Sequence, residues 1–266
     1  MYQQTLEKSL KKGGEILLSY FGKITKVSVK QNQSNIVTAA DVAAEKCIVE
    51  IIKQAHPEHN IIGEETGFYD NHSEFTWIVD PLDGTSNFSA GIPWFGVLVA
   101  LLKNDKPILA GCYLPVQNEL YLAEKGKGAT LNGNPIAVNS ESQLKNVLLV
   151  YSLDFSDDSK KTAQETRIIT ELVKNVRNIR ATNSLVDFCY TASGRLGGTI
   201  NQTTCIWDVA APYLLIQEAG GVVTDLNGTD LDFKVNASNY LRNFTIIAST
   251  PRLHPQLLNI VKSSKK

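Results

Sequence analysis

Asp80 and Asp83, two carboxylates three residues apart, have the spacing in this sequence that most clearly suggests chemistry. The apolar run Trp77–Val79 before them predicts a buried strand, and Pro81 predicts that this strand stops and turns. Thr85–Ser86 then predicts the start of a helical turn. Two carboxylates beside exposed backbone N–H groups can hold a cation next to an anion, as metal-assisted phosphate chemistry requires. A surface turn that only caps the strand is the alternative.

Two further acids occur where they could reach the same place. Glu64 follows a short apolar stub that ends in glycine, and Asp208 lies in the first turn of an otherwise apolar helix. Each also has an ordinary explanation, a solvated turn for Glu64 and an N-terminal helix cap for Asp208. If two lobes face each other, four acids would form an all-oxygen site that favours Mg²⁺ or Mn²⁺ over Zn²⁺. These acids are Glu64, Asp80, Asp83 and Asp208.

The elements that must position these acids alternate between helix and strand in both halves of the chain, which favours a layered α/β architecture. Periodicity and capping predict helices at about 3–21, 38–57, 157–174, 185–193, 206–219 and 253–261. Strands are predicted at 77–79, 97–102, 108–114, 120–123, 147–151, 197–201, 222–224 and 244–248. A composition shift near 139–145 predicts two lobes, residues 1–140 and 141–266.

Composition excludes several classes of function. The formal net charge of the 266 residues is −1, so nothing calls for a nucleic acid or an anionic membrane as a partner. No apolar run approaches the roughly 20 residues that span a bilayer, and no signal-peptide pattern is present. The four cysteines show no CxxC spacing and are expected to be buried free thiols. A cytoplasmic protein is therefore expected.

Three blocks of the sequence resemble the signature blocks of the inositol monophosphatase family, and the resemblance extends over nearly the whole chain. The blocks are Gly63–Glu65, Trp77–Phe88, and Trp207–Ala211 followed by Glu218–Gly221. The resemblance implies an α-β-α-β-α sandwich of the inositol monophosphatase and fructose bisphosphatase type. It also implies Mg²⁺-dependent hydrolysis of a small-molecule phosphomonoester by a metal-activated water, with two or three ions per site. Inhibition by Li⁺ and a homodimer are further implications.

The same resemblance implies a role for individual positions. The metal ligands would be Glu64, Asp80, the main-chain carbonyl of Leu82, Asp83 and Asp208. The backbone N–H groups of Gly84 and Thr85 would bind the phosphate. The Thr85 hydroxyl, supported by Asp41, would orient the attacking water, so Glu64, Thr85 and Asp41 are the implied catalytic residues. Lys30 matches a family lysine in a loop near the site.

The sequence departs from the family pattern where the substrate is chosen. Inositol-selective members place a glutamate where this chain has Asn201, which weakens the contact to substrate hydroxyls. Ser184, Asp187 and Asp208 are the other expected substrate contacts. Inositol monophosphate is therefore favoured only slightly over histidinol phosphate, fructose bisphosphate and adenosine bisphosphates. A regulatory binding protein that retains the site is the alternative of a different class.

Overall fold

Seven α-helices are present in the computed structural model, which describes residues 1–23, 28–30 and 36–264. They are α1 (Tyr2–Tyr20), α2 (Ala39–Ala55), α3 (Thr85–Ser89), α4 (Ser159–Asn175), α5 (Val186–Ala192), α6 (Ile206–Glu218) and α7 (His254–Ser263), with one 3-10 helix at Leu144–Asn146. All six predicted helices are present, with ends that differ by only a few residues. An alternating apolar run at Ile24, Val27 and Val29 and a polar loop at Lys30–Asn35 are also expected from the sequence, and both fall mostly outside the described residues.

The strands form a two-stranded hairpin, an eight-stranded sheet and a five-stranded sheet. The hairpin pairs β1 (Ser28–Val29) with β2 (Ile36–Val37). The first sheet contains β3 (Asn60–Gly63), β4 (Gly67–Tyr69), β5 (Phe75–Asp83), β6 (Gly96–Lys103), β7 (Lys106–Leu114), β8 (Glu119–Glu124), β9 (Gly128–Leu131) and β10 (Asn134–Ile136). The second contains β11 (Leu148–Ser152), β12 (Asn178–Arg180), β13 (Gly198–Thr204), β14 (Val222–Thr224) and β15 (Phe244–Ser249).

Strand order in the first sheet is β10-β9-β8-β7-β6-β5-β3-β4, and only the β3–β5 pair is parallel. The order in the second sheet is β12-β11-β13-β15-β14, with β11 parallel to both of its neighbours. The parallel pairs β3–β5 and β11–β13 each bring two carboxyl ends to the same edge of a sheet. Loops that follow those ends are therefore placed side by side.

The layers follow from the alternation of side chains along each strand. In β5, Trp77 and Val79 pack with α1 and α2 in one core, whereas Ile78 faces the opposite side. Helices α5 and α6 fill the space between the two sheets, where Val209 packs in the same core as Ile78. The far face of the second sheet, with Ile247 among others, is covered by α4 and α7. The result is the expected α-β-α-β-α sandwich.

Strand β5 is longer than predicted. It does not stop at Pro81 but runs on to Asp83, paired with β6, and its register shifts between Asp80 and Asp83. A proline has no N–H to donate to a ladder, so it is tolerated where the pairing is already irregular. The irregularity places Asp80 and Asp83 on one strand end instead of on either side of a turn.

Other expectations have mixed outcomes. The change from the first sheet to the second falls between Ile136 and Leu148, at the predicted composition shift, but helices of the second half share a core with the first sheet. The division at residue 140 thus stays a prediction.

All four cysteines are free, but Cys47 and Cys205 are only half-buried, so the expectation of buried thiols is wrong for these two. None of the described helices is long and apolar enough to cross a membrane.

Candidate active site between the two sheets

Three carboxylates converge where the end of β5 meets the beginning of α6. One oxygen from each of Asp80, Asp83 and Asp208 lies within 4.8 Å of the others. Asp80 is 2% exposed, and its Oδ1 accepts the N–H of Leu82 at 3.0 Å. Asp83 Oδ1 accepts the N–H of Leu185 at 2.5 Å, which joins the β5 irregularity to the segment before α5. The two halves of the chain therefore meet at this group of acids.

Asp208 lies at the start of α6 and also faces the other two acids. It is the third residue of α6, and its Oδ2 accepts the N–H of the N-cap residue Cys205 at 2.5 Å, as in a capping box. The same carboxylate is a member of the three-acid group. A capping residue that also faces two other acids does more than mark the start of a helix. Like charges at this distance destabilise the fold unless a cation compensates them.

The electrostatic environment of these carboxylates favours the binding of a cation. Burial, together with the neighbouring carboxylates, raises the pKa of Asp80 and of Asp83 well above its usual value. Burial is also the main cause that raises the pKa of Glu64 and of Asp208 to about 7. The donors are all oxygens with excess negative charge, and this set fits a divalent cation that prefers oxygen ligands, such as Mg²⁺ or Mn²⁺.

Glu64 lines the same cavity but is not one of the three converging acids. Its Oε1 is 2.9 Å from Lys30 Nζ, and the same ammonium group also pairs with Glu65 Oε1. Burial lowers the pKa of Lys30, but the attraction of the two carboxylates outweighs it and raises that pKa overall. Lys30 therefore lies where the family resemblance implies. It is a cation that neutralises part of the acidic site.

Glu45 is a supporting residue that lies outside the sequence motifs. It is 1% exposed, and its carboxylate accepts the N–H of Glu65 at 2.9 Å and that of Thr66 at 2.6 Å. These bonds fix the turn that carries Glu64. A sequence signal did exist, because Glu45 lies one helical turn after Asp41 on the buried side of α2, where an acid is rare unless it is paired.

Thr85 and Asp41 meet as predicted. Thr85 Oγ1 is 2.9 Å from the carbonyl oxygen of Leu82 and 3.2 Å from Asp41 Oδ1, so either can accept its hydrogen. Asp41 is fully buried, and its Oδ2 accepts the backbone N–H of Thr38 at 2.8 Å and the Thr38 hydroxyl at 2.5 Å. The capping box of α2 therefore orients the carboxylate that faces Thr85.

Gly84 precedes α3 with a φ of +87°, the left-handed conformation that glycine adopts without strain. A Cβ at this position would lie 2.6 Å from the carbonyl oxygen of Trp94. Only glycine fits both the left-handed φ and the close approach of the Trp94 carbonyl oxygen. The residue allows the chain to turn directly from Asp83 into α3, so that Gly84 and Thr85 both line the cavity beside the acids.

The cavity has a volume of about 490 Å³ and contains most of the predicted substrate contacts. Ser184 lines it, with its Oγ 2.9 Å from Thr182 Oγ1. Asn201 lines it too, but its Oδ1 accepts the N–H of Thr203 at 2.8 Å. The expectation that Asp187 contacts the substrate does not agree with the structure, because Asp187 is 1% exposed and is not among the lining residues. Its carboxylate instead accepts the hydroxyls of Thr182 and Ser152, so it supports the wall from behind.

Several lining residues carry no signal in the sequence. They come from loops that are far apart along the chain, and each looks like an ordinary surface position until the sheets are assembled. Residues of this kind are Leu153, Asp154, Phe155, Asn183, Leu241 and Asn243. Leu153 and Phe155 are 45% and 42% exposed, and Leu241 is 58% exposed, so the mouth of an acidic cavity has an apolar rim.

The chain is similar to proteins of known name over almost its full length. Inositol monophosphatase 1 of Solanum lycopersicum is 38% identical over 245 residues, which cover 86% of this chain and 87% of that protein. The protein called Nus factor SuhB of Haemophilus influenzae is 34% identical over 254 residues, which cover 95% and 92%. A solved structure of an IMPase from Thermotoga maritima has a TM-score of 0.86 and 30% identity, and covers 99% and 98% of the two chains.

A phosphatase is supported by the family and by the inositol monophosphatases among these relatives. The family model described as inositol monophosphatase family matches residues 2–266. The match includes the strand end, the turn and the helix start that bring the acids together. The chain belongs to the inositol monophosphatase family.

Proposed function

We propose that this protein is a divalent-cation-dependent phosphatase that hydrolyses small-molecule phosphomonoesters. The observation that carries the proposal is the convergence of Asp80, Asp83 and Asp208 within 4.8 Å, from both halves of the chain, in a cavity that Thr85 also lines. Glu64 and the carbonyl of Leu82 are the further proposed ligands. Mg²⁺ is the proposed ion, two or three per site, and Mn²⁺ is the substitute with the same preference for oxygen ligands.

When bound, the cation would neutralise charge on the phosphate and lower the pKa of a nearby water. The other parts of the reaction belong to the chain. When Asp41 accepts the hydrogen of the Thr85 hydroxyl, Thr85 Oγ can accept a hydrogen bond from the attacking water and aim it. The N–H groups of Gly84 and Thr85 would bind phosphate oxygens at the start of α3. Positioning of this kind provides much of the rate enhancement in phosphoryl transfer.

Inositol monophosphate remains slightly favoured as the substrate. The residues that line the cavity favour some of the alternative substrates over others. Among the described residues that line the cavity, none is a lysine or an arginine. A second phosphate far from the three acids would therefore lack a cationic partner in the wall, which disfavours fructose bisphosphate and adenosine bisphosphates. Histidinol phosphate, which has one phosphate, stays a rival. Inhibition by Li⁺ and a homodimer are proposed from the family resemblance alone.

The second candidate is a regulatory binding protein that retains the site. The observation that favours it is the relative from Haemophilus influenzae, 34% identical, which is named a Nus factor. In that case the acids would hold a cation for structural reasons and turnover would be slow or absent. The contact between Thr85 and Asp41 favours the enzyme, because a purely structural cation site has no use for a residue that aims water.

Phosphate release from a panel of phosphomonoesters with and without Mg²⁺ tests the proposal. We expect Mg²⁺-dependent release from inositol monophosphate or another monophosphate, and its loss in Asp83→Asn without unfolding. Asp105→Asn, an exposed acid in a turn outside the cavity, is the matched control. If no ester in the panel is hydrolysed, or if Asp83→Asn retains normal turnover, the proposed function is wrong.

A further inference from the structure

Asp154 is a carboxylate in the cavity wall that the proposed chemistry does not use. It follows β11 by two residues, is half-buried and lines the cavity, but it is not one of the three converging acids. Asn183 Nδ2 contacts Asp154 Oδ1 at 3.4 Å and also donates to the carbonyl oxygen of Leu153. The loop after β11 is thus tied to the segment that contains Ser184. These contacts place the carboxylate in a defined position.

Asp154 lies at the same edge of the second sheet as Asn201. Strands β11 and β13 are parallel, and Ser152 at the end of β11 is the register partner of Asn201. Asn201 Oδ1 already accepts the N–H of Thr203 at 2.8 Å. One lone pair of this neutral oxygen is thus left for a ligand, beside the two N–H donors of the amide. Asp154, two residues beyond the register partner, adds a charged acceptor to the wall of the same cavity.

The charges around Asp154 leave it available for a ligand. Among the described residues, no lysine or arginine nitrogen is recorded within 4.0 Å of its carboxylate. Lys161, which lies close enough to affect it, donates to Thr203 Oγ1 at 2.5 Å. Burial raises the pKa of Asp154, while Asn183 and Lys161 oppose that effect. A carboxylate that is partly desolvated gains from a donor that enters the cavity.

Apolar side chains also lie next to this carboxylate in the chain and in the cavity wall. Leu153 and Phe155 flank it in the chain, and Leu241 lines the same cavity; each is more than two-fifths exposed. Large apolar side chains at the mouth of a pocket indicate contact with the carbon skeleton of a ligand. The wall thus combines one acceptor with an apolar surface, in the same cavity as the acids proposed to hold the cation.

We propose that Asp154 is a specificity-determining residue that binds the alcohol part of the phosphomonoester, and that this alcohol carries a hydrogen-bond donor, a hydroxyl or an ammonium group, beside an apolar surface. The inference rests on the proposed function for the place of the phosphate, at the N–H groups of Gly84 and Thr85. It assigns to Asp154 the charged acceptor that residue 201, as an asparagine, does not provide.

A matched set of ligands tests this proposal. Hexyl phosphate, 2-hydroxyhexyl phosphate and 2-aminohexyl phosphate share a chain and differ only in the donor. KM and kcat are measured by phosphate release with Mg²⁺, and binding of the three corresponding non-hydrolysable phosphonates is measured by calorimetry. The proteins are the wild type, Asp154→Asn, Asp154→Leu and the control Asp157→Asn, an exposed acid three residues further along the same loop and outside the cavity.

We expect the wild type to bind a donor-bearing ligand about tenfold more tightly than the hexyl ligand, since hydrogen bonds to a charged group are the stronger ones. Asp154→Leu should reduce this ratio to near one for both donors, mainly through KM, whereas Asp157→Asn should leave it unchanged. Asp154→Asn separates the donors: it should remove most of the preference for the ammonium group and only part of that for the hydroxyl group.

Two results would overturn the proposal. One is an unchanged ratio in Asp154→Leu, including the case in which all three ligands weaken equally, because that identifies a structural role. The other is a wild type without preference among the phosphonates. Failure of the proposed function looks different: the wild type would release no phosphate from any of the three esters, while calorimetry would still measure the preference and its dependence on Asp154.

Discussion

Asp208→Asn should stabilise the metal-free protein at pH 8 even though it removes Mg²⁺-dependent turnover. The asparagine keeps the shape of the side chain and an oxygen that can accept the N–H of Cys205, now at 2.5 Å, so the cap of α6 survives. What disappears is a negative charge next to Asp80 and Asp83. In the absence of a cation, that charge is buried among like charges and destabilises the folded state.

The pKa of Asp208 gives the magnitude and the pH range. Burial is the main cause that raises this pKa from 3.8 to about 7. A group whose pKa is higher in the folded state stabilises the fold at low pH, and this contribution is lost as pH rises from about 4 to about 7. At about 1.4 kcal/mol per pH unit the full difference is roughly 4 kcal/mol. Because Asp208 is partly exposed and solvent screens it, we expect about 2–4 kcal/mol.

Thermal unfolding in EDTA measures this effect. At pH 8 the Tm of Asp208→Asn should exceed that of the wild type by roughly 5–10 °C, given about 2–4 °C per kcal/mol for a chain of this size. At pH 5 the two proteins should be nearly equal, because a protonated Asp208 resembles asparagine. Mg²⁺ should raise the Tm of the wild type more than that of the variant. A variant less stable than the wild type at pH 8 in EDTA would refute the reasoning, and Asp157→Asn should show no pH-dependent difference.

Four other predictions concern two supporting residues of the site, the ion, and His56, a buried histidine at the end of α2. Thr85→Val should lower kcat about 100-fold with little change in KM, whereas Thr85→Ser should retain most of the activity; equal kcat values would contradict a role for the hydroxyl. Glu45→Gln should raise the Mg²⁺ concentration needed for half-maximal turnover about tenfold, and the exposed Glu50→Gln of the same helix should not. Li⁺ in the millimolar range should inhibit phosphate release, and insensitivity would indicate a different cation pocket. His56 has its pKa lowered, mainly by burial, so it stabilises the neutral-pH fold and this contribution is lost as pH falls below about 6.5. The free energy of unfolding of His56→Gln should therefore fall less between pH 7 and pH 5 than that of the wild type, and equal slopes would count against this explanation.

Local elements were predictable because their signals lie within a few residues of one another. Thr38 and Asp41 are three residues apart, the spacing of a capping box, and the structure has that box at the start of α2. The continuous apolar run Trp77–Val79 predicts a buried strand, and its residues do pack in two separate cores, one on each face. Strands β4 and β12, of three residues each, were not predicted, because such short segments have little periodicity to detect.

The end of β5 shows where local rules are insufficient. Pro81 predicts a stop, and in an isolated segment that reasoning is sound. In the folded protein the partner strand β6 continues alongside, and a register shift accommodates the proline without breaking the pairing. Pairing with a neighbouring strand is a non-local contact, so its effect cannot be calculated from the residues on either side of Pro81.

The sequence by itself determined the family, the layered α/β class and the acids that could hold a cation, because motifs and periodicity are properties of neighbouring residues. Only the tertiary structure decided which side chains share the cavity. It brought Asp208 to Asp80 across the sheet junction, buried the carboxylate of Asp187 against Thr182, and placed Asp154 and Asn201 in the wall of one cavity. These positions depend on how two sheets pack around α5 and α6, and that packing joins residues more than a hundred positions apart without any shared local pattern.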